Sequence, residues 1–205
     1  MLAPREGDGV TRGHGFDKAR PSLKGTMIFG YFRKNRQRRV IATLYEQVAT
    51  AARAAALYTS LGVPDTIEGR FEALSLHIIL TVRRLQALPP PAPDVAGDLT
   101  DAFFRDLDAS LREMGVGDMA VPKRMKRLAE SFFGRVKAYG AALDGGDEAS
   151  LAGALGRNVR GDEAPAHDLA RYSMAAEREL AQLDLTALLE RGPVFPHPKT
   201  PEEMP

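Results

Sequence analysis

Cysteine is absent from the 205 residues, which excludes disulfides and thiolate metal sites and fits a reducing compartment. Long apolar runs are missing as well. The longest candidate, residues 40–61, is interrupted by Glu46, Gln47 and Arg53, whereas a bilayer span needs about 20 apolar residues. No hydrophobic stretch follows the N-terminal charges, so a secretory leader is not expected, and the chain should be soluble or peripheral. Patterns for catalysis are equally scarce. Of the four histidines, His14 and His197 fall near the ends, His167 opens a helix, and His77 alone sits within an apolar helix. A metal site in a helical bundle draws on Glu-x-x-His or on histidines one turn apart. Neither occurs, because the acid nearest before His77 is Glu72. Gly-x-Ser-x-Gly is absent, and Ser75 and Ser131 stand in no activating context. The pair Gly115 and Gly117 lacks the Lys-Ser/Thr of a phosphate loop. No catalytic residue, metal or cofactor is assigned, and the chain reads as a non-enzyme.

What is present is helical periodicity. Apolar residues recur at spacings of three and four, and two-residue alternation hardly appears. Residues 1–26 mix glycine, proline and charge without periodicity and read as a disordered extension. Residues 192–205 hold Pro193, Pro196, Pro198, Pro201 and Pro205 and read as a disordered tail. The domain is placed at 27–191, an all-α compact bundle of five to six amphipathic helices. Helices are expected over 35–60, 65–85, 98–114, 122–143, 147–159 and 165–190. Asp65 with Glu68 is read as a capping-box-like start of the second. Pro89, Pro90, Pro91 and Pro93 should impose an extended connector, long enough for a crossover. Gly62, Gly115, Gly145, Gly161 and Gly192 are expected to close helices.

Net charge is only +1, and the informative feature is where the cations gather. After Pro122 come Lys123, Arg124, Lys126 and Arg127, with no acid until Glu130. Cations at a helix N-terminus are unfavourable by about 0.3–1 kcal/mol each, so this cluster suits a surface that meets an anionic or polar partner. A solvated basic face is the plainer reading. Phe132 and Phe133 follow, and neighbours on a helix cannot both face one core, so Phe133 is expected to be partly exposed. A second basic run holds Arg33, Lys34, Arg36, Arg38 and Arg39, preceded by Phe29, Tyr31 and Phe32. Such a segment can lie on an anionic membrane or meet ribosomal RNA phosphates. An RNA- or ribosome-binding module therefore stays open, as does a bundle holding lipid, quinone or haem, with His77 the simplest haem ligand. DNA binding is not indicated.

Three blocks resemble the ubiquinol–cytochrome c chaperone family, the assembly factors for cytochrome b of respiratory complex III. They are residues 71–85, FEALSLHIILTVRRL; residues 111–139, LREMGVGDMAVPKRMKRLAESFFGRVKAY; and residues 151–159, LAGALGRNV. The second is the most specific, and together the resemblance spans about 40–172. Tryptophans common in the first and third blocks of the family are missing, with Gly156 in the place of one. The transmembrane anchor of some mitochondrial relatives has no counterpart. The resemblance implies a non-enzymatic chaperone for newly made cytochrome b, peripheral to the inner membrane on the cytoplasmic or matrix side. In mitochondrial relatives it works near the ribosomal exit with a small partner protein. The expected client face joins His77, Arg83 and Arg84 to Lys123, Arg124, Lys126, Arg127, Phe133 and Arg135. The aromatic and basic run from Phe29 to Arg39 would contact membrane or ribosome.

Overall fold

A computed structural model describes residues 23–197, with side chains from Gln37 onward. The chain divides into two units, Met1–Asn35 and Arg36–Pro205, and the core described here belongs to the second. Eight α-helices follow in order among the described residues, without a strand: α1 (Leu23–Ala52), α2 (Ala55–Thr59), α3 (Ile67–Gln86), α4 (Ala92–Glu113), α5 (Val121–Asp144), α6 (Glu148–Leu155), α7 (His167–Ala181) and α8 (Leu185–Glu190). A π-helical turn, Gly156–Arg160, extends α6. The all-α reading holds.

The centre is α3. Every residue over 75–82 is buried, so this helix is covered all round rather than along one stripe. It packs on α4, α7 and α5, and on the π-helical turn. Thr66 caps it by accepting the Gly69 amide at 3.1 Å. Asp65, the expected cap, instead pairs with Arg70. Gly69 is obligatory for packing, because a Cβ there would lie 1.9 Å from the Pro64 carbonyl oxygen. Two buried hydroxyls on these helices turn back on their own backbone: Thr81 donates to the His77 carbonyl and Ser173 to that of Leu169.

Several boundaries differ from the sequence reading. The first helix begins at Leu23, inside the expected extension, and breaks after Ala52 before α2; residues 1–22 lie outside the described ones. The proline-rich connector is shorter than expected, because Pro93 sits in the first turn of α4, where a missing N–H costs nothing. With only residues 87–91 between them, α3 and α4 are adjacent, and no crossover forms. The last long helix is two, since Asp184 accepts the Ala187 amide and starts α8 afresh. After Leu143, it is Gly146 with φ 61° that takes the left-handed conformation, not Gly145 at φ −82°.

The expected free tail is partly docked. Residues 192–197 form no regular secondary structure, yet Phe195 lies against the core, its ring edge-on to His77 at 4.6 Å between centroids. The folded body therefore continues past residue 191.

Candidate functional site

The basic opening of α5 is built by uneven burial. Val121 and Phe132 are both buried, and none of the residues 122–131 between them is. This first part of the helix is thus pinned at its two ends, with a span of nearly three turns left open between them. Lys123, Arg124, Lys126 and Arg127 are all exposed on this span. Their only ion pair among the described residues is Lys126 with Glu130, at 3.8 Å. Beyond the second pin, α5 packs on α6, and Tyr139, Ala142 and Leu143 are buried.

Phe133 is 56% exposed, as its adjacency to buried Phe132 requires. It ends a chain of phenylalanine rings that runs from half-buried Phe71 through the core: Phe71 and Phe103 lie 6.2 Å apart, Phe103 and Phe132 5.1 Å, Phe132 and Phe104 5.5 Å, and Phe104 and Phe133 6.1 Å. The α4–α5 turn adds Met119, 96% exposed, and Met114, 51% exposed. Methionine is flexible and polarisable and suits a surface that adapts to apolar partners. The sequence reading passed over Met119, although an apolar residue between Asp118 and Ala120 in a polar turn is a visible signal.

Beside the span lies an open groove of about 860 Å³, walled by the first half of α3, the second half of α4 and the open part of α5, with the end of α1, Arg53 and Tyr58 of α2 completing it. Phe71, Leu74, Leu107 and Leu128 give it an apolar lining, and Ile67, 66% exposed, stands at its edge. The cations of α5 divide here. Arg124 and Arg127 line the groove, and Lys123 and Lys126 do not.

Four residues expected on the client face have other tasks. His77 is fully buried. The Ala73 carbonyl, at 2.7 Å from Nδ1, can only accept, so Nδ1 carries the proton; Nε2 then accepts from the Tyr172 hydroxyl at 2.7 Å. Burial pushes the imidazole down to about 4, so it is neutral, and with both nitrogens engaged it has none free for a haem iron. Arg83 bridges Asp144 at 2.7 Å and Glu177 at 2.8 Å, tying α3 to α5 and α7. Arg84 donates to the Leu183 carbonyl at 2.8 Å, just past the end of α7. Arg135 grips Glu72 through two nitrogens in a buried pair that reaches the groove. Burial pushes the Glu72 carboxyl up, against the opposing pull of the guanidinium. These side chains hold the bundle together, and only the four cations at the α5 opening and Phe133 remain displayed.

The second basic run is only partly visible. Arg38 and Arg39 are exposed, whereas the side chains of Phe29, Tyr31, Phe32, Arg33, Lys34 and Arg36 lie outside the described residues. No described helix is long and apolar enough to cross a membrane. No group of three His, Asp or Glu side chains able to hold a metal occurs among the described residues.

Residues 59–195 match the family model described as Ubiquinol-cytochrome C chaperone. A solved structure, the crystal structure of the Cbp3 homolog from Brucella abortus, is 40% identical in sequence. The match covers 82% of this chain and 95% of that one, with a TM-score of 0.71. No curated protein matches the chain significantly.

Proposed function

Since the chain belongs to the ubiquinol–cytochrome c chaperone family, we propose that it binds newly made cytochrome b and promotes assembly of ubiquinol–cytochrome c reductase. The observation that carries the binding surface is the open span of α5. Lys123, Arg124, Lys126 and Arg127 stand exposed beside the uncovered rings and thioethers of Phe133 and Met119. Exposed apolar side chains among cations suit a protein client with apolar helices and polar or acidic connections. A nucleic-acid surface could stack a base on Phe133 but would have little use for the two exposed methionines, Met114 and Met119. The chaperone would hold the client non-covalently, screening its apolar segments until assembly proceeds.

Reversal of all four cations to glutamate is the direct test. Because they are exposed and the span is unburied, stability should change by no more than about 0.5 kcal/mol per substitution. Capture of cytochrome b should nevertheless be lost, and a strain relying on this variant should accumulate little complex III. Normal capture by a folded variant would remove the surface assignment. Normal complex III in a strain lacking the whole chain would remove the function.

The basic run ending at Arg38 and Arg39 is proposed to keep the chaperone at an anionic surface near the site of client synthesis. Each basic residue near anionic headgroups contributes about 1 kcal/mol. Reversal of both arginines to glutamate should therefore cut co-sedimentation with phosphatidylserine-containing vesicles by at least tenfold. Equal sedimentation of the variant and the parent would sink this role.

A further inference from the structure

The groove beside α5 carries information about its occupant that the basic cluster alone does not. On the α5 side Arg124 and Arg127, three residues apart, stand on one face above Leu128. Among the described residues neither guanidinium reaches a carboxylate. The third arginine of that helix at the groove, Arg135, is already neutralised by Glu72. Elsewhere around the groove, Glu68 and Glu113 stand on α3 and α4, and Arg70 of α3 is paired with Asp65. Arg53, just past the end of α1, is the one other groove arginine without a carboxylate partner among the described residues, so α5 supplies the pair of free cations that share one face. Between the walls the lining is apolar. From this the geometry points to an amphipathic helix as occupant, its apolar face against Phe71, Leu74 and Leu128, with two carboxylates one turn apart seated on Arg124 and Arg127.

The inference rests on the chaperone reading and deepens it, since it states which feature of a client is read. Each element of the site selects for part of that ligand. An apolar helix without acids would leave two desolvated guanidiniums unpaired, a cost that selects against it. An extended acidic chain would match the charges but leave the apolar lining wet. A helix satisfies both, because side chains three or four positions apart share a face at the spacing that Arg124 and Arg127 themselves adopt. Lys123 and Lys126, outside the groove, would add only long-range attraction, which salt screens within about 10 Å at 0.1 M.

The test uses the full chain and a fluorescein-labelled, leucine- and alanine-rich helical peptide carrying two glutamates four residues apart. Anisotropy should show saturable binding. The peptide with both glutamates changed to glutamine should bind at least tenfold more weakly. Arg124→Glu with Arg127→Glu should lose binding by a similar factor and recover it toward a peptide bearing two lysines in place of the glutamates. Lys137→Glu with Arg178→Glu, an equal change in net charge at exposed positions outside the groove, should stay within about threefold. Equal losses from the two double reversals would reduce the effect to general electrostatics and overturn the inference, as would equal affinity for the glutamine peptide. Concentration-dependent self-association that the peptide competes away would assign the groove to a second copy of the chain, also overturning it. The outcome is separable from the function: failed peptide discrimination alongside defective complex III in a deletion strain would remove the groove chemistry and leave the chaperone standing.

Discussion

Replacing Arg135 with alanine is expected to destabilise the domain by about 3–5 kcal/mol, the range for leaving one member of a buried ion pair without its partner. In a chain of this size that lowers the melting temperature by about 10 °C. The cause lies in Glu72, which is buried and whose two carboxylate oxygens are both held by the one guanidinium. The deficit should also depend on pH. Burial already raises the Glu72 carboxyl in the intact protein, and removing Arg135 raises it further. In the variant the folded state then binds more protons than the unfolded state in the window between the two carboxyl values, so stability falls as pH rises through that window. The gap between variant and parent should therefore be widest at neutral pH and narrow as the medium is acidified. Glu72→Gln in the Arg135→Ala background removes the charge outright and should flatten this dependence. A loss below about 1 kcal/mol, or a gap that widens on acidification, would show that the pair is not a structural tie.

Phe132→Ala carries the other large expectation, about 3–5 kcal/mol for truncating a fully buried aromatic side chain. Phe132 touches the ring chain from both directions, between Phe103 at 5.1 Å and Phe133 at 5.5 Å. Its loss also frees one of the two pins of the α5 span. Urea unfolding should show a lower midpoint, and client capture should weaken although no displayed cation has changed. Phe133→Ala next to it should cost well under 1 kcal/mol in stability, because that ring is more exposed than covered. Similar losses for the two would mean that the burial contrast along α5 does not govern its attachment.

Much of the fold could be read from the chain because burial and helical period coincide. The stripes through Leu44 and Val48, Ile78 and Leu85, Phe103 and Leu111, and Leu169 and Leu180 are in the core, whereas Ile67, expected inward at the head of the α3 stripe, is exposed. The points missed were local decisions with close competitors. Thr66 and Asp65 are adjacent capping residues, and the choice of Thr66 follows from Asp65 pairing with Arg70. The stripe through Leu180, Leu183 and Ala187 gives no hint of a break, which depends on the Asp184 cap. Proline was read as a barrier at Pro93, although at the first turn of a helix it is a favoured opening.

The site divides in the same way. Exposure of Lys123, Arg124, Lys126, Arg127 and Phe133 follows from local sequence and was legible. The partners that withdraw Arg83, Arg84 and Arg135 from the surface lie 94, 99 and 63 residues away along the chain, and no local pattern encodes them. Glu72 offered a partial signal, being an acid on a helix otherwise rich in apolar residues, where a buried carboxylate demands a cation from another helix. His77 was legible as a core histidine from its apolar neighbours, and placing it on the client face set the family likeness above that physical reading.

The two pins of α5 act as bridge abutments. Load is carried at Val121 and Phe132, so the roadway between them can be resurfaced without threatening the piers. Cations along this deck can therefore be exchanged, changing what the surface displays, while the buried anchorage at either end stays untouched.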